Sequence, residues 1–272
     1  MTALLSIKQL SCRFGGLVAV NSVDLSVETG HVHGLIGPNG AGKTTFLNLV
    51  SGHIRQTSGT INFDGQDLRS MPPELRAVAG IRRTFQNLRL FREMTAIENV
   101  MVGLHANTHS DVFPSLIRTR AQRIEEREIA ERAREALDFV GLLKLADAIA
   151  GSLSYGHQRL LELARAFVAK PKLILADEPA AGLNGREAAQ LVGLIRRIQA
   201  AGVTVMLVEH HMEVVMRACD RITVLNHGKK LADGSPADIR DHSGVIEAYL
   251  GTKPVYVRSG RRGTTEVRHA AN

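Results

Sequence analysis

The chain has 272 residues, enough to bury a full hydrophobic core. It has no run near the ~18 consecutive apolar residues of a spanning helix, so if it works at a membrane another chain supplies the spans. Lys and Arg exceed Asp and Glu by 34 to 27, a net charge of +7 that suits acidic lipid, nucleic acid or plain solubility. The two cysteines, Cys12 and Cys219, lie far apart without metal-ligand spacing, and the start of the chain carries no signal-peptide pattern. Both features lead us to expect a reducing cytoplasm.

The first 30 residues alternate apolar and polar side chains around Gly15-Gly16, as in Leu5-Ser-Ile-Lys-Gln-Leu10 and Val23-Asp-Leu-Ser-Val27, and are read as antiparallel strands. From Val32 the pattern becomes a purely apolar strand to Ile36, then a Gly-rich loop, then a helix beginning near Lys43. Further buried-type strands are predicted at Lys172–Asp177 and Val203–Val208, and a short one at Ile81–Phe85. The helix between the first two carries Leu191, Leu194, Ile195 and Ile198 on one face. Continuous apolar strands alternating with amphipathic helices indicate a mostly parallel sheet covered on both sides.

Between about residues 87 and 160 the character is helical, and we read this stretch as an inserted lobe. Thr95-Ala-Ile-Glu98 resembles a capping box, and Ile129, Ala133, Ala136, Leu137 and Val140 form a stripe. The charged segment Arg118–Glu135 mixes both signs and is read as a solvated helix face. From Thr252 to Asn272 five basic residues stand against one acid, so this stretch holds +4 of the +7 and is read as a disordered tail. One domain, 1–251, plus this tail, 252–272, is the expected organisation.

The loop Gly37-Pro38-Asn39-Gly40-Ala41-Gly42-Lys43-Thr44 suits a polyphosphate. Its glycines let backbone N–H groups converge on the oxygens, and the following helix presents its positive end to them. Lys43 adds a cation for the β and γ phosphates, and the Thr44 hydroxyl can ligate Mg²⁺. Asp177 and Glu178 end an apolar strand, where carboxylates are costly unless they face a cation. Asp177 can join the Mg²⁺ shell while Glu178 polarises an attacking water. In open parallel sheets ligands sit beyond the carboxyl ends of the strands, and four such ends carry Lys43, Gln86, Asp177/Glu178 and His210. Leu153-Ser154-Tyr155-Gly156-His157-Gln158 precedes a helix running to about Ala169. Ser154 is a good N-cap there, and Ser with Gly at a helix start also makes a second anion site. Phe14, beside Gly15-Gly16, is either core or an exposed ring for an adenine. The pairs His31/His33 and His210/His211 lack partners at zinc spacing.

The ordered set Gly37–Thr45, Gln86, Leu153–Gln158, Asp177-Glu178, Ala181–Asn184 and His210 resembles the ATP-binding cassette ATPases, over about Leu4 to Leu250. The resemblance implies a P-loop NTPase α/β fold with an N-terminal antiparallel β subdomain and an inserted helical subdomain. It further implies that two cassettes pair head to tail, each ATP lying between the loop of one and Ser154/Gly156 of the other. Carried over by position, Phe14 stacks the adenine, Lys43, Thr45 and the loop amides hold phosphates, and Thr44, Gln86 and Asp177 organise Mg²⁺. Glu178 is then the base, His210 the γ-phosphate switch, and Asn184 one of the nucleotide-binding residues. Tyr155, His157 and Asn184 depart from the commonest residues at their positions, which puts the detail of coupling across the dimer in question.

Arg83-Thr-Phe-Gln-Asn-Leu-Arg-Leu-Phe91, Leu153-Ser-Tyr-Gly, Glu178-Pro-Ala-Ala-Gly-Leu-Asn184 and Val245-Ile-Glu-Ala-Tyr-Leu250 are similar to the LivG-type ATPases of branched-chain amino acid importers. That likeness implies separate transmembrane permease subunits, a periplasmic solute-binding protein, a second and often non-identical cassette, and a peripheral place on the cytoplasmic face of a bacterial inner membrane. No nucleic acid partner is expected: a DNA-tethering version needs long coiled coils between the phosphate loop and Leu153–Gln158, a translation-type version two cassettes in one chain. A small-molecule kinase or GTPase leaves Ser154–Gly156 unexplained.

Overall fold

The computed structural model describes residues 3–104 and 120–250. The basic stretch 252–272 and the start of the charged segment at Arg118 lie outside the described residues. Strands β1 (Ala3–Phe14) and β2 (Leu17–Glu28) form the expected antiparallel hairpin across Gly15-Gly16. After β3 (Val32–Ile36) and helix α1 (Lys43–Ser51), strands β4 (Ser58–Phe63) and β5 (Gln66–Asp67) extend that hairpin into a four-stranded antiparallel sheet, ordered β2-β1-β4-β5.

The second sheet has six strands. Following helix α2 (Pro73–Val78) come β6 (Ile81–Arg83), β7 (Leu173–Asp177), β8 (Thr204–Val208), β9 (Arg221–Asn226) and β10 (Lys229–Gly234). Their order is β10-β9-β3-β8-β7-β6, parallel throughout except for the β9–β10 hairpin. Strands β3, β7 and β8 are buried at every residue, which is why each reads as a largely apolar run, interrupted only by His33, Asp177 and Thr204, rather than as an alternation. Alternate residues serve two cores. Leu35, Leu173, Leu175, Met206 and Val208 face α1 and the antiparallel sheet. Val32, Ile36, Ile174, Ala176, Val205 and Leu207 face the remaining helices.

Those helices are α3 (Ala96–Val102), α4 (Arg120–Phe139), α5 (Tyr155–Phe167), α6 (Gly185–Ala200), α7 (Met212–Ala218), α8 (Pro236–Arg240) and α9 (Ser243–Leu250). Helix α3 starts with the expected capping box: Thr95 Oγ1 accepts from the Glu98 amide at 3.3 Å, and the Thr95 amide donates to Glu98 Oε2 at 2.7 Å. Ala133, Ala136, Leu137 and Val140 of the α4 stripe are buried, while Glu126, Arg127, Glu131, Arg132, Arg134 and Glu135 face outward. Together α3 and α4 pack on α5, which runs past residue 160 into the main core and so joins lobe to sheet.

Among the elements that differ from the sequence reading, three bear on the sheet and the site. Strand β6 stops at Arg83, not Phe85, because the Phe85 amide turns from the sheet to Glu162 on α5 at 3.3 Å. Helix α5 ends at Phe167, two residues early, and Lys170 then adopts φ +47 before Pro171. The β9–β10 hairpin, turning at His227-Gly228, went unpredicted, although Ile222 to Leu225 between polar ends is a strand pattern.

Candidate nucleotide site

Strand β3 delivers the chain into the Gly37–Thr44 loop at the carboxyl edge of the six-stranded sheet. At Gly37 an added Cβ would fall 2.1 Å from the Leu225 carbonyl oxygen of β9, so the strand's exit admits no side chain. Gly42 takes φ +99 as the N-cap of α1, and a Cβ there would meet the Ala19 oxygen of β2 at 2.4 Å. The helix start therefore presses against the hairpin, with no side-chain cap and no acid in the first turn. Its first N–H groups and the dipole are left for an anion.

Lys43 is buried and folds back over the loop, donating from Nζ to the Gly37 oxygen at 2.7 Å and the Pro38 oxygen at 3.1 Å. Burial pushes its ammonium pKa down, against the nearby Glu178 and Asp177 carboxylates, which raise it. The Ala41 amide closes the loop onto the Pro38 oxygen at 3.1 Å, while Asn39, Gly40 and Thr44 are exposed at its mouth and Thr45 half-buried. Phe14, at the end of β1, is 50 % exposed, so its ring is free to stack on a ligand rather than filling the core.

Adjacent strands bring the other groups to the same edge. Asp177 ends β7 in register with Val208 of β8, itself paired with Leu35 of β3. Asp177 is buried, with Oδ2 3.0 Å from Arg83 Nη2 of β6; Arg83 also donates to Asn48 Oδ1 at 2.6 Å and Ser51 Oγ at 3.0 Å on α1. Glu178 takes φ +47, a left-handed conformation that costs a non-glycine residue about 1 kcal/mol or more. Its amide is fixed by the Val208 oxygen at 2.8 Å. This turn gives the two neighbouring acids different partners: Glu178 Oε2 accepts from Gln86 Nε2 at 2.8 Å and lies 3.6 Å from His210 Nδ1. The site thus combines the buried Lys43 ammonium, a carboxylate paired with Arg83, and a second carboxylate among exposed polar groups. Hard oxygen donors from Thr44, Gln86 and Asp177 have the chemistry of a Mg²⁺ shell.

Residues 20–181 match the family model described as ABC transporter. The chain belongs to the ABC transporter family, as one of its ATP-binding cassettes. Residues 229–254 match a second model, described as branched-chain amino acid ATP-binding cassette transporter. The cassette is 47 % identical to the high-affinity branched-chain amino acid transport ATP-binding protein BraF of Pseudomonas aeruginosa, over 91 % of this chain and 98 % of that protein. It is 45 % identical, with the same coverage, to LivG of Escherichia coli K12. A crystal structure of an ABC transporter cassette in its ADP conformation superimposes with a TM-score of 0.80 at 30 % identity, covering 92 % of this chain and all of that one.

The remaining sequence-predicted residues of the cassette form a second cluster. Ser154 caps α5, its Oγ accepting from the His157 amide at 3.3 Å. Gly156 faces Glu187: a Cβ there would stand 2.7 Å from Glu187 Oε1. Asn184 caps α6 through a capping box with the same Glu187, at 3.0 and 2.9 Å. A cavity of about 430 Å³ beside them is lined by Ser154, Gly156, His157 and Glu187 and by no residue of the phosphate loop.

Sequence reasoning missed four residues that hold this edge together. Arg83 pairs with Asp177, and the buried Glu209 accepts from the Ala180, His210 and His211 amides at 2.6, 3.1 and 3.4 Å. Arg159 and Glu162 grip the backbone at Phe85 and Gln86. The available signal was three charges in segments that must be buried: Glu209 directly after the apolar run Val205–Val208, Arg159 and Glu162 on the apolar side of a helix.

Proposed function

We propose that the cassette is the ATP-hydrolysing subunit of an importer for branched-chain amino acids. In this reading it works on the cytoplasmic face of the membrane with separate permease subunits, a second cassette and, indirectly, a solute-binding protein. The observation that carries the catalytic part is the convergence of Lys43, Gln86, Asp177, Glu178 and His210 at the carboxyl ends of neighbouring strands. The identity to BraF and LivG over nearly their full lengths supports the transport part.

In this proposal the amides of residues 39–44, Lys43 and Thr45 hold the phosphates, and Phe14 stacks on the adenine. Thr44, Gln86 and Asp177 hold Mg²⁺, which when bound offsets charge on the phosphate oxygens. Glu178 takes the proton of the attacking water, oriented by its bond from Gln86, and His210 beside it senses the γ-phosphate end. Ser154, Gly156 and Asn184, gathered on α5 and α6 away from the loop, serve the site of a facing cassette, so that closure of two half-sites drives the permease.

The test is reconstitution of this chain with its co-encoded permeases and binding protein in vesicles, followed by uptake of labelled leucine, isoleucine or valine. ATP-dependent uptake of these solutes is expected. Uptake confined to an amide, urea or small organic acid would keep the cassette reading and overturn the cargo.

A further inference from the structure

Arg159 is 2 % exposed on α5, and its guanidinium spends its hydrogen bonds on another segment's backbone. Nη1 donates to the Phe85 oxygen at 2.8 Å and Nη2 to the Gln86 oxygen. The charge is balanced by Glu162, also 2 % exposed, at 3.3 Å from Nη1; the other Glu162 oxygen accepts the Phe85 amide at 3.3 Å. Burial raises the Glu162 carboxyl pKa, while the Phe85 amide and Arg159 pull it down. Such a pair is costly to desolvate, and removing either partner would strand the other.

Tyr155 completes the unit. It stands one turn before Arg159 on α5, directly after the Ser154 cap, and its hydroxyl accepts from Arg159 Nη2 at 2.8 Å. Its ring also abuts Gly182, where an added Cβ would lie 3.0 Å from Tyr155 Cε1. Gly182 belongs to the short loop that follows Glu178. A closed circuit results. The Gln86 side chain bonds Glu178, the Gln86 carbonyl bonds Arg159, Arg159 bonds Tyr155, and Tyr155 rests on the loop leading back to Glu178.

We propose that Tyr155 and Arg159 are positioning residues that set the Gln86–Glu178 pair from the start of α5, so that movement of Ser154–Gly156 is transmitted within one chain to the water-activating carboxylate. The proposal rests on the reading of Gln86 and Glu178 given above. Because Tyr155 acts on the Gln86 backbone and not on the phosphate loop, its loss is expected to lower turnover and spare nucleotide affinity.

The experiment is a double-mutant cycle of Tyr155→Phe with Gln86→Ala, read as ATP turnover and nucleotide affinity, with Glu178→Gln as reference. Tyr155 is 44 % exposed, so Tyr155→Phe is expected to fold with an unchanged melting temperature. In the otherwise unaltered chain it should lower kcat about three- to tenfold, the scale of one ordinary hydrogen bond, with nucleotide affinity unchanged. In the Gln86→Ala background the same change should have almost no further effect, since the Gln86–Glu178 bond that it positions is gone. Arg159→Lys, which keeps the charge but loses the fork, should lower kcat further. Wild-type turnover in Tyr155→Phe, an equal loss in both backgrounds, or a loss that tracks melting temperature would each overturn the proposal. If Glu178→Gln itself turns over ATP normally, the underlying reading fails instead.

Discussion

Gln86 Nε2 lies 2.8 Å from Glu178 Oε2, although 92 residues separate them in the chain. The bond joins the loop after β6 to the end of β7 and leaves the Gln86 side-chain oxygen for other work. Gln86→Ala should lower kcat about 10- to 100-fold, the scale of a displaced catalytic group, and leave ATP affinity within about threefold. Steady-state hydrolysis alongside equilibrium binding of a fluorescent nucleotide checks both halves; a parallel loss of affinity would assign Gln86 to binding instead.

Asp177 and Arg83 form a buried ion pair, so removing one partner strands the other. Asp177→Asn should destabilise the fold by about 3 kcal/mol, the low end for a broken buried pair, because Asn48 and Ser51 still accept from Arg83. The exposed pair Lys172–Asp64 is the comparison: Lys172→Ala should cost below about 1 kcal/mol. Chemical denaturation of the two variants measures the contrast, and equal losses would deny the burial argument.

The phosphate loop and the acids after β7 were legible in the sequence because each is a local pattern: a glycine-rich turn between strand and helix, a polar pair closing an apolar run. The parallel sheet was legible for the same reason, since strands covered on both faces show no alternation. What stayed hidden depends on distant partners. Nothing near Phe85 says that β6 stops at Arg83; the stop comes from Glu162 and Arg159, more than 70 residues later in the chain. The Glu178 conformation, φ +47, likewise reflects its tethers to Val208 and Gln86 and not its own preference.

His33 offers a pH test away from the site. It is buried on β3, with Nε2 2.8 Å from Thr223 Oγ1, which in turn donates to Asp233 at 2.6 Å. Burial lowers its pKa to about 4 from the ordinary 6.5. The unfolded chain therefore binds the proton first, so this residue's contribution is complete above pH 6.5 and is lost as pH falls from 6.5 toward 4. The full difference is about 3 kcal/mol. His33→Leu should flatten the stability profile in that window, as denaturation at pH 7 and pH 4.5 will reveal. An unchanged slope would mean that carboxylates, not His33, set the acid sensitivity.

The account turns on Glu178 as the group that activates water at a nucleotide held by Lys43 and its loop. Phosphate release by Glu178→Gln, measured beside the ATP it retains, tests this most directly. The predicted result is tight ATP binding with hydrolysis lowered about 10²- to 10⁴-fold. Near-normal phosphate release from that variant would contradict it.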